Sequence, residues 1–80
     1  MSEEMSLGYE IGCRIKAKRK EKKWTQTQLG NKAWVSHAYI SHLERGQISS
    51  PSVMYLCDIA KALGVTPKWL IFGDGDGDNI

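Results

Sequence analysis

The sequence predicts an all-α domain of five short helices. Three observations carry that prediction. Apolar residues recur at intervals of three and four along most of the chain, and no credible pair of strands appears. Residues that cap helix N-termini stand at Thr25, Ser36, Ser50 and Thr66, the last two directly followed by proline. Glycines stand where helices should stop, at Gly46 and Gly64.

The first helix is expected from about Gly8 to Lys23, where Ile11, Ile15 and Arg19 recur every four residues on one face. Thr25 caps the second, with Gln28 three residues on at capping-box spacing, and the helix runs through about Ala33 and buries Leu29 and Ala33. Gly30 falls where the next helix would cross, a position that calls for a small residue. Ser36 caps the third helix, which runs to about Arg45. Ser50-Pro51 reads as cap plus first residue of the fourth, whose stripe is Val53, Leu56, Ile59, Ala60 and Leu63. Thr66-Pro67 opens a short fifth helix with Trp69, Leu70 and Phe72. The division expected is an arm over 1–7, the domain over 8–73, and an acidic Gly/Asp tail over 74–80.

Composition narrows the function. Eighty residues make one small domain. No apolar run approaches the ~20 residues of a membrane span, and no signal-peptide pattern precedes the first helix, so a cytoplasmic protein away from membranes is expected. Cys13 and Cys57 are too few and too far apart for a disulfide framework or a zinc site, and are read as reduced side chains at or near the core. Residues 10–72 hold all 11 Lys and Arg but only Glu10, Glu21, Glu44 and Asp58 as acids. Seven of the cations, Arg14, Lys16, Lys18, Arg19, Lys20, Lys22 and Lys23, fall within ten residues of the first helix. Such a stripe attracts polyanions. The Asp74-Gly75-Asp76-Gly77-Asp78 run lacks the glycine and glutamate of a calcium loop, so no metal is expected there.

The third helix carries the most specific signal. At 100° per residue, Ile40, Leu43 and Glu44 share one side, and His37, Ala38, Ser41 and His42 share the other. The outer face is small or hydrogen-bonding and has no long acidic side chain, so it can enter a DNA major groove. Its Ser and His groups can bond base edges, and the Ala38 methyl can meet a thymine methyl. Arg19 and Glu44 each continue an apolar stripe inward. Two inward charges are tolerable only as a pair, so a bidentate Arg19–Glu44 bond between helices one and three is predicted. His37 and His42 have no carboxylate or cysteine at ligand spacing, so neither catalysis nor metal binding is expected; an enzyme and a cofactor are both disfavoured.

Residues 14–46 resemble the Cro/repressor-type helix-turn-helix domains, the lambda repressor-like (XRE) family. The resemblance runs through Arg14-Ile15-Lys16-Ala17-Lys18-Arg19, Thr25-Gln26, Leu29, Val35-Ser36, Ile40-Ser41 and Glu44-Arg45-Gly46, and then through Pro51-Ser52, Ile59 to Val65 and Trp69-Leu70. It implies a compact five-helix domain that binds double-stranded operator DNA as a homodimer. It also implies that Gln26 grips a phosphate from the start of helix two, with Thr27, Ser36, Tyr39, Arg45, Gln47 and Ser49, and Arg14 and Lys18 of helix one, as further phosphate contacts. His37, Ala38, Ser41 and His42 would face the bases. Pro67, Leu70 and Phe72 would form the dimer contact, with Leu70 equally suited to the core and Trp69 read as core. Apart from the resemblance, Arg45 and Glu44 are read as residues that could touch RNA polymerase as well as DNA or the core. One departure stands out: relatives usually have glycine at the turn where Trp34 stands, and a left-handed conformation there costs a bulky residue about 1–2 kcal/mol. The expected function is a small transcription regulator, a Cro-type or phage-like repressor. The DNA-binding part of a larger repressor, a restriction–modification controller and an antitoxin share the motif set, and a protein-interaction module on the same fold is the reading from another class.

Overall fold

The computed structural model describes residues 7–73. The acidic tail and all of the expected arm except Leu7 lie outside the described residues. Five helices follow in order: α1 (Leu7–Glu21), α2 (Gln26–Ala33), α3 (His37–Glu44), α4 (Val53–Leu63) and α5 (Pro67–Phe72). Among the described residues there is no strand, and no helix is long and apolar enough to cross a membrane.

The apolar stripes meet in one core. Ile11 and Ile15 from α1, Leu29 from α2, Ile40 and Leu43 from α3, Ile59 and Leu63 from α4 and Leu70 from α5 are its largest fully buried side chains. Each such side chain contributes about 1.5–3 kcal/mol on burial. α2 packs on α3 and α4, and α1 packs on α3 and α5. The α1–α3 approach is close enough that a Cβ on Gly12 would overlap the Leu43 carbonyl. The backbone of one helix thus rests on the backbone of the other.

Local signals set most boundaries. The Thr25 hydroxyl accepts the Gln28 N–H at 3.0 Å and the Gln28 side chain accepts the Thr25 N–H at 2.7 Å, completing the capping box. Thr66 caps α5 with Pro67 in its first turn, and Gly64 closes α4 at φ 79°.

Four expectations need correction. α1 stops at Glu21, not Lys23, because Lys23 turns left-handed at φ 61° and the Trp24 N–H bonds back to the Arg19 carbonyl. α4 is capped by Ser52 rather than Ser50, which leaves Pro51 outside the helix. The reason is tertiary: the Tyr39 hydroxyl accepts the Ser52 N–H at 3.0 Å, so residue 52 stays extended at φ −66°, ψ 128°. Val53, read as part of the α4 stripe, is exposed in the first turn. Cys13 and Cys57 are also exposed. Cys13 lies two residues from both Ile11 and Ile15, about 200° round the helix from each, so burying those two isoleucines turns it outward.

Candidate nucleic-acid interface

The site is built on α2, the turn after it, and α3. The turn is tight. Gly30 supplies the carbonyl that accepts the Val35 N–H at 2.9 Å, and a Cβ on Gly30 would lie 2.6 Å from the Val35 oxygen. Trp34 takes the left-handed conformation at φ 61°, ψ 37°, the region glycine occupies most readily, and its indole is 91% exposed. The turn therefore keeps the shape expected of glycine, and the bulky residue bears the strain. Ser36 then caps α3, its hydroxyl accepting the Tyr39 N–H at 3.1 Å.

On α3 the two faces separate as the helical period requires. Ile40, Leu43 and Glu44 are buried, His37, Ala38 and His42 are exposed, and Ser41 is half-buried. Beneath the outer face lies the buried ion pair. Arg19 Nε–H donates to Glu44 Oε2 at 2.7 Å and Arg19 Nη2–H to Oε1 at 2.9 Å. Arg19 Nη1–H donates to the Trp24 carbonyl at 2.7 Å. The hydrogen bond to Glu44 raises the Arg19 pKa above its ordinary value; partial burial opposes this, and the attraction to Glu44 adds to it. Every polar side-chain atom buried here has a partner among the described residues.

The expected contact residues divide into two groups. Thr27, Ser36, Arg45, Gln47 and Ser49 are exposed on α2, the turn and the loop after α3, and Tyr39 and Gln26 are half-buried beside them. Gln26 has an engagement that the sequence did not reveal: its Nε2 donates to Glu44 Oε1 at 3.1 Å. Arg14 and Lys18 turn instead to α5. Arg14 Nη1 donates to the Leu70 and Ile71 carbonyls at 3.0 and 2.9 Å, and Lys18 lies over the Trp69 ring, 5.2 Å from its centroid. Lys16, Lys20, Lys22 and Lys23 remain exposed on α1 and just beyond it. Lys22 and Lys32 flank Trp24 at 5.3 and 4.8 Å from the ring centroid.

Two further assignments change. Leu70 is fully buried, so it is a core residue and presents nothing to a second copy, whereas Pro67 and Phe72 are exposed. The Glu44 side chain is 3% exposed, which removes it as a polymerase contact. Among the described residues no group of three His, Cys, Asp or Glu side chains is placed to hold a metal.

Comparison with known proteins adds the context. A family model described as helix-turn-helix matches residues 15–70. The chain is 41% identical over 66 residues to the HTH-type transcriptional regulator DicA of Escherichia coli, covering 82% of this chain and 48% of DicA. It is 47% identical over 55 residues to the immunity repressor protein of Bacillus phage phi105, covering 69% of this chain and 38% of that one. The c2 repressor of Salmonella phage P22, solved in complex with a synthetic operator, superposes with a TM-score of 0.74 at 39% identity, covering 80% of this chain and 96% of the crystallised chain, though only 32% of the full repressor. The chain spans about half or less of the length of these two curated relatives. The matched span, the five-helix architecture and the capped α2–turn–α3 unit agree, and the chain belongs to the Cro/C1-type helix-turn-helix family of DNA-binding transcriptional regulators.

Proposed function

We propose that this chain is a sequence-specific reader of double-stranded DNA that acts as a transcriptional repressor by occupying its operator. One observation carries the reading. The outer face of α3, with His37, Ala38, Ser41 and His42, presents small and hydrogen-bonding groups and no carboxylate, while a buried ion pair fixes the helix from behind. Such a face enters a major groove without repelling phosphates and offers donors and acceptors to base edges. The exposed lysines of α1 and the loop after it supply the sequence-independent attraction. The relatives support the role, being regulators and repressors by name, one of them solved on an operator.

In this reading two copies bind a near-palindromic site, their α3 helices about 34 Å apart in successive major grooves. The exposed Pro67 and Phe72 at the ends of α5 are the surfaces offered to the second copy. Arg45, exposed just past α3, is the residue offered to RNA polymerase. No catalytic step and no cofactor enter the mechanism, and the setting is the cytoplasm. The length of DicA and of the phi105 immunity repressor favours one variant of the proposal, in which these residues are the DNA-binding part of a longer regulator.

Selection of bound sequences from random duplex DNA tests this directly. The expected result is an enriched motif with two-fold symmetry and half-sites one helical turn apart, bound with an affinity that falls steeply with salt. An enriched site without two-fold symmetry overturns the dimer, and no enrichment at all overturns sequence-specific reading.

A further inference from the structure

Gln26 is the first residue of α2, and its carboxamide is held in one orientation. A carboxylate only accepts hydrogen bonds, so the nitrogen of Gln26, not its oxygen, must face Glu44 Oε1 at 3.1 Å. A solvated glutamine has both amide orientations available. Here Glu44 selects one. The first Nε2 hydrogen is committed to Glu44, and the second has no acceptor among the described residues. The backbone N–H groups of Gln26 and Thr27 are likewise unclaimed, because the cap takes only the Gln28 N–H. The charge of Glu44 does not work against an anion at this point, because Arg19 neutralises it through two bonds.

We propose that Glu44 is a positioning residue for the DNA backbone. By anchoring one hydrogen of the Gln26 amide, it aims the other at the phosphate met by the first-turn amides of α2. The ion pair then has two roles: it holds α1 against α3, and it presets a phosphate donor on α2. The inference rests on the DNA-binding reading above and specifies which buried group prepares the contact.

The test is a double-mutant cycle on a duplex recovered with the unmodified chain. Gln26→Leu is expected to weaken binding about tenfold, the scale of one lost hydrogen bond to a charged group. The salt dependence should stay unchanged, because an uncharged donor releases no counterion. The pair Arg19→Met with Glu44→Leu removes the acceptor without leaving a lone buried charge; it is expected to give a similar loss, and adding Gln26→Leu to it should cost less than about twofold more. In the DNA-free chain, the Arg19→Met, Glu44→Leu pair should also shift the side-chain amide proton resonances of Gln26. If that pair fails to fold, Arg19→Leu with Glu44→Met removes the same acceptor with a different fit to the core. A full tenfold effect of Gln26→Leu in the absence of Glu44 overturns the positioning role while leaving DNA binding intact. Failure of the unmodified chain to bind any duplex overturns the functional reading itself.

Discussion

Glu44 and Arg19 meet through two parallel hydrogen bonds, at 2.7 and 2.9 Å, with the Glu44 side chain 3% exposed and that of Arg19 11% exposed. Because Arg19 also holds the Trp24 carbonyl, one guanidinium joins α1, the α1–α2 turn and α3. Removing one partner leaves the other charge buried without compensation. Glu44→Gln is therefore expected to lower stability by about 3–5 kcal/mol, read from denaturant unfolding. Replacing both residues by apolar ones of similar volume should cost far less. The pH dependence follows from the sign of the shift. Arg19 has a raised pKa, so its contribution is fully present below the ordinary arginine value and is lost only as pH rises beyond it. The guanidinium therefore stays charged across the neutral range. A single variant as stable as the parent would show that the pair is dispensable.

Arg14 makes a contrasting case. The family resemblance implies a phosphate contact, yet its guanidinium holds two carbonyls at the end of α5. Arg14→Met is expected to lower stability by about 1.5–3 kcal/mol, the range for hydrogen bonds to a charged group. It should leave the salt dependence of DNA binding as it was. A slope reduced by about one, with stability unchanged, would return Arg14 to the phosphates.

Gly30 sets how α3 sits on α2. A methyl group there would press on the Val35 carbonyl oxygen at 2.6 Å, and that oxygen is backbone with little room to retreat. Gly30→Ala is expected to destabilise by about 1–3 kcal/mol and to reduce DNA affinity by tilting the reading helix. Thermal unfolding together with a binding titration checks both. Unchanged unfolding would mean that the turn opens at little cost.

What the sequence revealed and what it hid divide along one physical line. Thr25 with Gln28, Ser36, Gly64 and Thr66-Pro67 are local devices, satisfied by residues within four positions, and each acts as its spacing predicts. Ser52 was hidden because its amide is claimed by Tyr39, 13 residues away. The Arg19–Glu44 contact was legible at 25 residues' separation because two charges interrupt two apolar stripes. Gln26 carries no such mark: a glutamine at a helix start looks the same whether its amide faces solvent or a buried carboxylate. Lys23 at φ 61° also escaped notice, because a lysine is not a residue type that marks a left-handed turn. Leu70 was ambiguous for a different reason. A helix of only six residues does not fix which apolar side chain faces inward, and only the docking of α5 on α1 and α4 buries this one.

His42 stands on the outer face of α3, exposed, with no role in the core. Substituting it should therefore separate reading from folding. His42→Ala is expected to leave the melting temperature nearly unchanged while relaxing preference at one position of each half-site by about 1–3 kcal/mol. Repeating the selection with the variant reads this directly. An unaltered motif would remove His42 from the base-reading set.

Trp34 gives the clearest opposition between conformation and side chain. At φ 61° the left-handed backbone costs a bulky residue about 1–2 kcal/mol, and an indole that is 91% exposed recovers almost nothing by burial. Glycine adopts this conformation freely but adds about 0.5–1 kcal/mol of unfolded-state entropy to be overcome. The balance favours glycine by roughly 0.5–1 kcal/mol, a rise of a few degrees in melting temperature for a domain of this size. Trp34→Gly is thus expected to stabilise the fold although it deletes the largest side chain of the turn. Trp34→Ala separates the two causes, since it removes the indole but keeps the strain and should leave the melting temperature near that of the parent. A lower melting temperature for the glycine variant would mean that the indole makes a stabilising contact larger than the backbone strain it imposes.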